Sequence, residues 1–226
     1  MQEVIEQFSA TLRQAAQRKS PVRIRGGGSK DFYGLQLKGD ILDTTSYQGI
    51  VDYEPTELVL TARAGTRLSE IEQALRDKGQ MLAFEPPHFG SEATLGGCVA
   101  AGLSGPRRAY SGAVRDFVLG VRILDAKGQD LTFGGRVMKN VAGYDVSRLI
   151  AGSLGTLGLI LDVSLKVLPL PREEATLRLE MSETEAIQTM NRWAALPFPI
   201  SGTCYVAGSL WVRLSGAAPA LAAAEQ

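Results

Sequence analysis

The segment that decides the fold is RIRGGGSKDFYG, Arg23–Gly34, in which three consecutive glycines follow a short apolar strand, PVRIR. A Walker phosphate loop requires Ser or Thr after its Lys, but the residue after Lys30 is Asp31. A Rossmann fingerprint would require a third glycine at that same position. The run therefore has two interpretations, a tight surface turn or a nest of backbone N–H groups that binds an anion. A side chain at Gly27 would stand where the anion sits.

Two further segments rich in glycine and small residues occur later in the chain. The first, EPPHFGSEATLGGCVAAGLSG, includes Gly90–Gly105, and the second is GSLGTLGLI, Gly152–Ile160. Taken singly, the first is typical of close backbone packing and the second of a turn. Each lies beside a predicted strand or helix end. Together, the three segments could converge on one long ligand with several acceptor groups, such as a dinucleotide.

Composition and charge exclude several classes of protein. The 226 residues are 45% hydrophobic, and 24 basic side chains balance 24 acidic ones. A chain without a basic surplus is a poor candidate for sequence-independent nucleic-acid binding. No apolar run approaches the ~20 residues of a membrane-spanning helix, and the N-terminus has the spacing of an amphipathic helix. Cys98 and Cys204 are the only cysteines, which favours reduced thiols in the cytoplasm.

The order of predicted elements indicates an α+β protein. We predict a helix, strands and a helix over residues 1–82, and then a small-residue helix, a hairpin and a long strand over 83–171. Composition shifts after Arg172, where a strand, a helix and two strands begin a third unit, 172–226. That unit looks too small to enclose its own core, and its helix-prone end, AAPALAAAEQ, has no evident partner. We therefore expect the protein to continue beyond residue 226.

Catalytic signatures are sparse. His88 is the only histidine, which excludes multi-histidine metal sites, and its PPHFG context is more typical of a structural or surface residue. The segment KNVAGYD gathers Lys139, Asn140, Tyr144 and Asp145, either as cofactor contacts or as a helix entrance capped by Asp145. The pairs Arg107-Arg108 and Arg115-Asp116 are predicted to lie on a solvated face with one local ion pair. No catalytic residue and no metal ligand is assigned.

Taken together, the three segments resemble the PCMH-type, or vanillyl-alcohol-oxidase-type, FAD-binding family in both motif and order, over about residues 20–171. The resemblance implies a PCMH-type FAD-binding domain of two α/β subdomains, about 1–82 and 83–171, followed by the start of an α+β cap-like domain. The cofactor-binding residues that it implies are Arg25, Gly26, Gly27, Gly28, Ser29, Lys30, Pro87, His88, Gly90, Ala93, Thr94, Leu95, Gly96, Gly97, Gly152, Gly155, Gly158 and Ile160.

A narrower resemblance is to the FAD-binding subunits of bacterial glycolate oxidases, through EPPHFGSEATLGGCVAAGLSGPRRAYSGAVRDFVLG, GGRVMKNVAGYDVSRL and PISGTCYVAGSLWVRL. It implies oxidation of glycolate or a similar 2-hydroxy acid in a complex with a related flavoprotein subunit and an iron–sulfur subunit. A non-catalytic relay subunit of the same fold is the alternative. It also implies a cytoplasmic protein, open to peripheral membrane association through the complex, and a chain truncated at its C-terminus.

Two departures from the family pattern refine these expectations. Covalent relatives often carry His where this chain has Ser29, so FAD is predicted to bind noncovalently. Many relatives carry Glu in the last loop, where this chain has Leu154. Contacts to FAD from that loop should therefore be made mainly by the backbone.

Overall fold

The computed structural model describes residues 1–34, 37–135 and 144–224. Amphipathic patterns in the sequence become helices that each bury one apolar face. The helices are α1 (Gln2–Arg18), α2 (Leu68–Arg76), α3 (Leu95–Ala101), α4 (Arg108–Ser111), α5 (Val114–Phe117), α6 (Val146–Ile150), α7 (Glu183–Ala194) and α8 (Ala218–Ala224).

The strands follow the short β-rich runs of the sequence. They are β1 (Val22–Arg25), β2 (Asp40–Asp43), β3 (Ile50–Glu54), β4 (Val59–Arg63), β5 (Gln80–Met81), β6 (Val118–Leu124), β7 (Asp130–Gly134), β8 (Leu159–Lys166), β9 (Leu168–Pro169), β10 (Glu173–Glu180), β11 (Ile200–Val206) and β12 (Ser209–Gly216). Among them, β1 and β2 pair in parallel, and β5 pairs with β9.

The central sheet has the order β3-β4-β8-β6-β7, with antiparallel pairing between neighbours. The apolar strand β8 lies in its middle, with Val163 and Leu165 facing the core that α2 and α3 cover. A register shift against β6 turns Leu159 and Leu161 to the other face, where they pack with α1 and β2. Strands β3 and β4, which precede the predicted boundary near residue 82, share this sheet with β6, β7 and β8, which follow it. The two predicted subdomains therefore both contribute strands to one sheet.

The C-terminal unit is a three-stranded antiparallel sheet, β10-β12-β11, with α7 and α8 on one face. Ser182 and Glu185 form a capping box at the start of α7. The apolar face of the sheet forms a core with both helices, in which Leu210 and Leu221 are buried. The expectation that this unit could not enclose a core was therefore wrong. The helix-prone end also has a partner, because Leu221 of α8 packs on the sheet.

Arg107 corrects the prediction of a solvated arginine face. Its side chain is only 10% exposed, and it lies between Glu85 and Glu174 at the boundary with the C-terminal unit. The predicted local ion pair of Arg115 with Asp116 is not among the ion pairs of the described residues. Asp116 instead accepts a hydrogen bond from the Ala113 N–H at 2.9 Å. The burial of Arg107 was missed because its partners, Glu85 and Glu174, are distant in sequence and cannot be identified from adjacent residues.

Both cysteines are free, as the sequence predicts, and they differ sharply in environment. Cys98 lies inside α3 and is 1% exposed, whereas Cys204 lies on the exposed side of β11. Complete burial raises the pKa of the Cys98 thiol to about 12. Within the described residues, no helix is long and apolar enough to cross a membrane.

Thiol titration tests this packing. At pH 8 the native protein should react with Ellman's reagent rapidly at one thiol, because Cys98 is buried and protonated while Cys204 is exposed. In denaturant both thiols should react, and Cys204→Ser should remove the rapid phase alone. Two rapid thiols in the native protein would contradict the placement of Cys98.

Candidate functional site

The three glycine-rich segments meet at one cleft. The first, residues 26–34 after β1, forms one wall, and the small residues of α3 and the loop before β8 form the others. The cleft is open to solvent, and the empty space between its walls, solvent included, is about 850 Å³. It is lined by Ile24, Gly26, Lys30, Tyr33, Gly34, Leu37, Thr44, Ala64, Gly96, Gly97, Ala100, Ala101, Leu154, Gly155, Gly158 and Ile160.

The first loop presents a row of unsatisfied backbone donors. Among the described residues, no acceptor receives a hydrogen bond from the N–H groups of residues 26–30. Gly28 has φ of +71°, a left-handed conformation that suits glycine and permits successive N–H groups to converge. These half-buried residues line a small depression with Thr94 and Gly97, and the depression shares Gly26, Lys30 and Gly97 with the lining of the cleft. Amides placed this way fit a phosphate group.

Charge on the first loop is positive on balance. Asp31 accepts from Arg23 Nη2 at 2.6 Å and from Arg25 Nε at 3.0 Å. Desolvation acts to raise the pKa of Asp31, but these hydrogen bonds and the two arginine charges lower it below its ordinary value. The carboxylate therefore stays ionised and holds both guanidinium groups beside the loop, while Lys30 adds a further positive charge.

Lys30 is the cationic side chain that lines the cleft itself. Burial lowers the pKa of its ammonium group below the ordinary value. Its Nζ lies 5.8 Å from the centroid of the Phe89 ring, and it has no ion-pair partner among the described residues. An anion bound in the cleft would stabilise this charge.

The first two glycines serve contact between loops, which corrects the role predicted for Gly27. A Cβ at Gly27 would overlap the main-chain carbonyl of Glu92, and one at Gly26 would overlap the Thr94 hydroxyl. The space beside Gly27 is therefore filled by the second loop and is not free for a phosphate. The absence of side chains lets the two loops approach each other closely.

The second loop contributes its backbone and small residues. Thr94 begins α3, and its hydroxyl accepts from the Gly97 N–H at 3.3 Å. Gly96 lies against Ala64, the residue that directly follows β4, and this brings α3 close to the central sheet. Ala93 and Leu95 are buried, and the Leu95 N–H donates to Thr66 O at 2.9 Å. The structure thus places Thr94, Gly96 and Gly97 at the cleft but Ala93 and Leu95 in the core behind it.

The PPHFG residues divide between two places. His88 Nε2 lies 3.1 Å from Glu72 Oε1, and His88 lines a second cavity whose lining shares no residue with that of the cleft. Pro87 lines neither cavity. Gly90 approaches the first loop, since a Cβ there would lie 4.0 Å from Ser29 Cβ. Among these predicted residues, the geometry brings Gly90 to the first loop and separates His88 from the cleft.

The third loop, which precedes β8, forms another wall of the cleft. Gly155, Gly158 and Ile160 line the cleft, whereas Gly152 packs against Gly102 at the end of α3. Leu154 has φ of +51° and its side chain lines the cleft, 51% exposed. This residue, where many relatives carry Glu, presents an apolar surface here. Contacts to a ligand's polar groups from this loop must come from main-chain atoms.

Several residues of the cleft were not predicted. Thr44 and Ala64 directly follow β2 and β4, which belong to different sheets, and Ala100 and Ala101 lie at the C-terminal end of α3. The run of small residues in α3 was the sequence signal that pointed to Ala100 and Ala101. Asp145 caps α6 by accepting from the Arg148 N–H at 3.2 Å, and Tyr144 is 96% exposed. Lys139 and Asn140, proposed from the sequence as cofactor contacts, lie outside the described residues.

Curated proteins of known name are similar to this chain. Glycolate oxidase subunit GlcE of Escherichia coli is 54% identical over 95% of the chain and 61% of its own length. D-lactate dehydrogenase of Archaeoglobus fulgidus is 31% identical over 80% of the chain and 40% of its own length. Glycolate oxidase subunit GlcD of Bacillus subtilis is 30% identical over 76% and 37%. The chain thus spans about three fifths or less of each relative.

Solved structures share the fold. Alkyldihydroxyacetonephosphate synthase, in one crystal form, superposes with a TM-score of 0.76 over 97% of the chain and 47% of that protein, at 16% identity. A second crystal form gives 0.74 over 97% and 48%, also at 16% identity. The predicted α+β fold of PCMH type is confirmed. A family model described as "FAD binding domain" matches residues 3–134, and the chain accordingly belongs to this family of FAD-binding proteins.

Proposed function

We propose that FAD binds in the cleft with its pyrophosphate at the first loop. The observation that carries this proposal is the row of N–H groups from Gly26 to Lys30 that have no acceptor among the described residues. When a ligand covers these amides and displaces water, they need new acceptors, and an anion with several oxygens supplies them. The adjacent charges of Arg25 and Lys30 favour the same ligand.

The other predicted binding residues differ in the kind of contact that they can make with FAD. Gly97, Gly155 and Gly158 bring main-chain atoms to the cleft, and Ile160 supplies an apolar wall. FAD supplies the redox chemistry when bound, and the protein orients it and excludes water. We assign Gly26, Gly27 and Gly90 to loop placement, and we assign no ligand contact to the side chains of Ala93, Leu95 and His88.

We infer that the protein is the FAD-binding subunit of a glycolate oxidase complex and acts on glycolate or a related 2-hydroxy acid. The names of the relatives, two glycolate oxidase subunits and a D-lactate dehydrogenase, support this assignment. In the proposal, residues 1–171 hold the cofactor and residues 172–226 begin the cap-like domain. The partners are a related flavoprotein subunit and an iron–sulfur subunit, and the complex is placed in the cytoplasm.

A relay role in the same complex is the second candidate. Among the described residues that line the cleft, the only titratable side chains are Lys30 and Tyr33. Neither carboxylate nor imidazole, the commonest bases for taking a proton from a 2-hydroxy acid, is present in that lining. This composition favours a subunit that holds FAD while a partner contributes the catalytic groups.

Substrate addition separates the two candidates. Under anaerobic conditions, glycolate should bleach the flavin absorbance of the FAD-loaded protein if this chain oxidises the substrate. Bleaching only after the partner subunits are added would identify the relay. Acetate, which lacks the hydroxyl group, is the control and should have no effect. A flavin that glycolate bleaches in neither sample would contradict the glycolate oxidase assignment.

Noncovalent attachment is a second expected property. Ser29 replaces the histidine of covalent relatives, and His88, the one histidine of the chain, lies outside the cleft. Acid precipitation of the FAD-loaded protein should therefore leave the yellow colour in the supernatant. A yellow pellet that persists after washing in denaturant would show a covalent bond and would disprove this expectation.

A substitution tests the placement of the first loop. Gly27→Val should raise the Kd for FAD at least about tenfold, or ~1.4 kcal/mol, because its side chain would push the loop away from the Glu92 carbonyl. Gly135→Val is the matched control, since a Cβ at Gly135 would have no neighbour within 4 Å among the residues that the structure describes, and it should leave the Kd within about twofold. Circular dichroism should show that both variants fold. A folded Gly27→Val protein with unchanged FAD affinity would refute the proposed role of the first loop in binding the pyrophosphate.

A further inference from the structure

Two arginines and two glutamates form a compact cluster between the FAD-binding region and the C-terminal unit. Glu85 and Arg107 belong to the former, whereas Glu174 of β10 and Arg213 of β12 belong to the latter. Their formal charges cancel, and the side chains of Arg107 and Arg213 are 10% and 28% exposed. The surface ion pairs Arg67–Glu92 and Arg178–Glu180 are more exposed and lie within one unit each.

Each arginine contacts glutamates of both units. Arg107 donates through its main-chain N–H to Glu85 Oε2 at 2.8 Å, and through Nη2 to Glu174 Oε1 at 2.8 Å. Arg213 Nη2 lies 2.7 Å from Glu85 Oε1, and its Nε lies 3.7 Å from Glu174 Oε1. Charged pairs with these distances and partial burial are worth more than solvent-exposed pairs.

Two serines complete the cluster on the C-terminal side. Ser201 accepts from Arg213 Nε at 2.9 Å, and Ser215 donates to Glu174 Oε1 at 2.5 Å. Desolvation acts to raise the pKa of Glu174, but the hydrogen bonds from Ser215 and Arg107 and the arginine charges lower it below its ordinary value. Glu174 is thus held ionised, and the guanidinium of Arg213 is fixed in the orientation that reaches Glu85.

Glu85 connects this cluster to the cleft through the chain. Its main chain has φ of +49°, an uncommon conformation for a residue with a side chain, and it directly precedes the PPHFG segment. That segment leads to Gly90, which faces Ser29, and to Glu92, whose carbonyl packs on Gly27. The strained residue needs surrounding contacts to persist. Arg107 and Arg213 supply such contacts from both sides.

We propose that Arg213 is a positioning residue for FAD: from the C-terminal unit it holds the Glu85 carboxylate, and through Glu85 it sets the second loop against the first. The C-terminal unit thereby acts on cofactor affinity although none of its described residues, 172–224, is among those lining the cleft. This inference rests on the proposed binding of FAD at the first loop and adds a contribution from outside that site.

The test is the Kd for FAD of Arg213→Met, measured by flavin fluorescence on the whole 226-residue chain. Loss of the Glu85 contact should raise the Kd roughly tenfold. Arg178→Met is the matched control, because Arg178 is an arginine of the same sheet whose partners among the described residues, Glu180, Ser209 and Trp211, all belong to the C-terminal unit. It should leave the Kd within about twofold. Arg213→Lys, which keeps the positive charge but lacks the planar guanidinium group with its several donors, should give an intermediate Kd. This variant replaces Arg213→Met if Arg213→Met does not fold.

A double-mutant cycle with Glu85→Gln decides whether Arg213 acts through Glu85. If it does, Arg213→Met/Glu85→Gln should bind FAD no more weakly than the weaker single variant, within about twofold. If the increases in Kd of the two single variants multiply in the double variant, the inference is overturned. An unchanged Kd for FAD in folded Arg213→Met or Arg213→Lys would also overturn it, as would an equal increase in Kd in Arg178→Met. A wild-type chain that binds no FAD would instead refute the proposed function.

Discussion

The close approach of the first loop to the second is the constraint on which the site depends. Gly27 packs on the Glu92 carbonyl and Gly26 on the Thr94 hydroxyl, at separations that leave no room for a Cβ. The consequence is that β1, which carries the first loop, must lie beside the start of α3, which the central sheet supports through Gly96 and Ala64. Small residues therefore set the distances between the first loop, α3 and the central sheet, and the cleft is the space that remains between these elements.

Electrostatics in this neutral chain is arranged locally. Asp31 holds Arg23 and Arg25 beside the loop, and burial lowers the pKa of Lys30 in the cleft. The unsatisfied amides of the first loop add partial positive charge without adding net charge. Overall neutrality, which argued against nucleic-acid binding, is thus compatible with a strong local preference for a phosphate-bearing cofactor.

The C-terminal unit is both a separate core and a neighbour of the cleft. Its sheet buries Leu210 and Leu221 against its own helices. Its contact with the FAD-binding region includes the charged cluster of Arg107, Arg213 and their glutamates. Ionic contacts require specific orientation, so they fix how the two units meet, whereas apolar contacts alone permit sliding.

The sequence by itself determined the local elements and the family. The strands flanking the glycine runs, the small-residue helix at residues 94–102 and the order of the three loops were all legible, because turn chemistry and periodicity act over a few residues. Tertiary structure alone decided that Gly27 faces Glu92, that His88 pairs with Glu72 outside the cleft, and that Arg107 is buried between two glutamates. Each of these depends on residues 16 or more positions apart, and local pattern carries no information about which distant partners folding brings together.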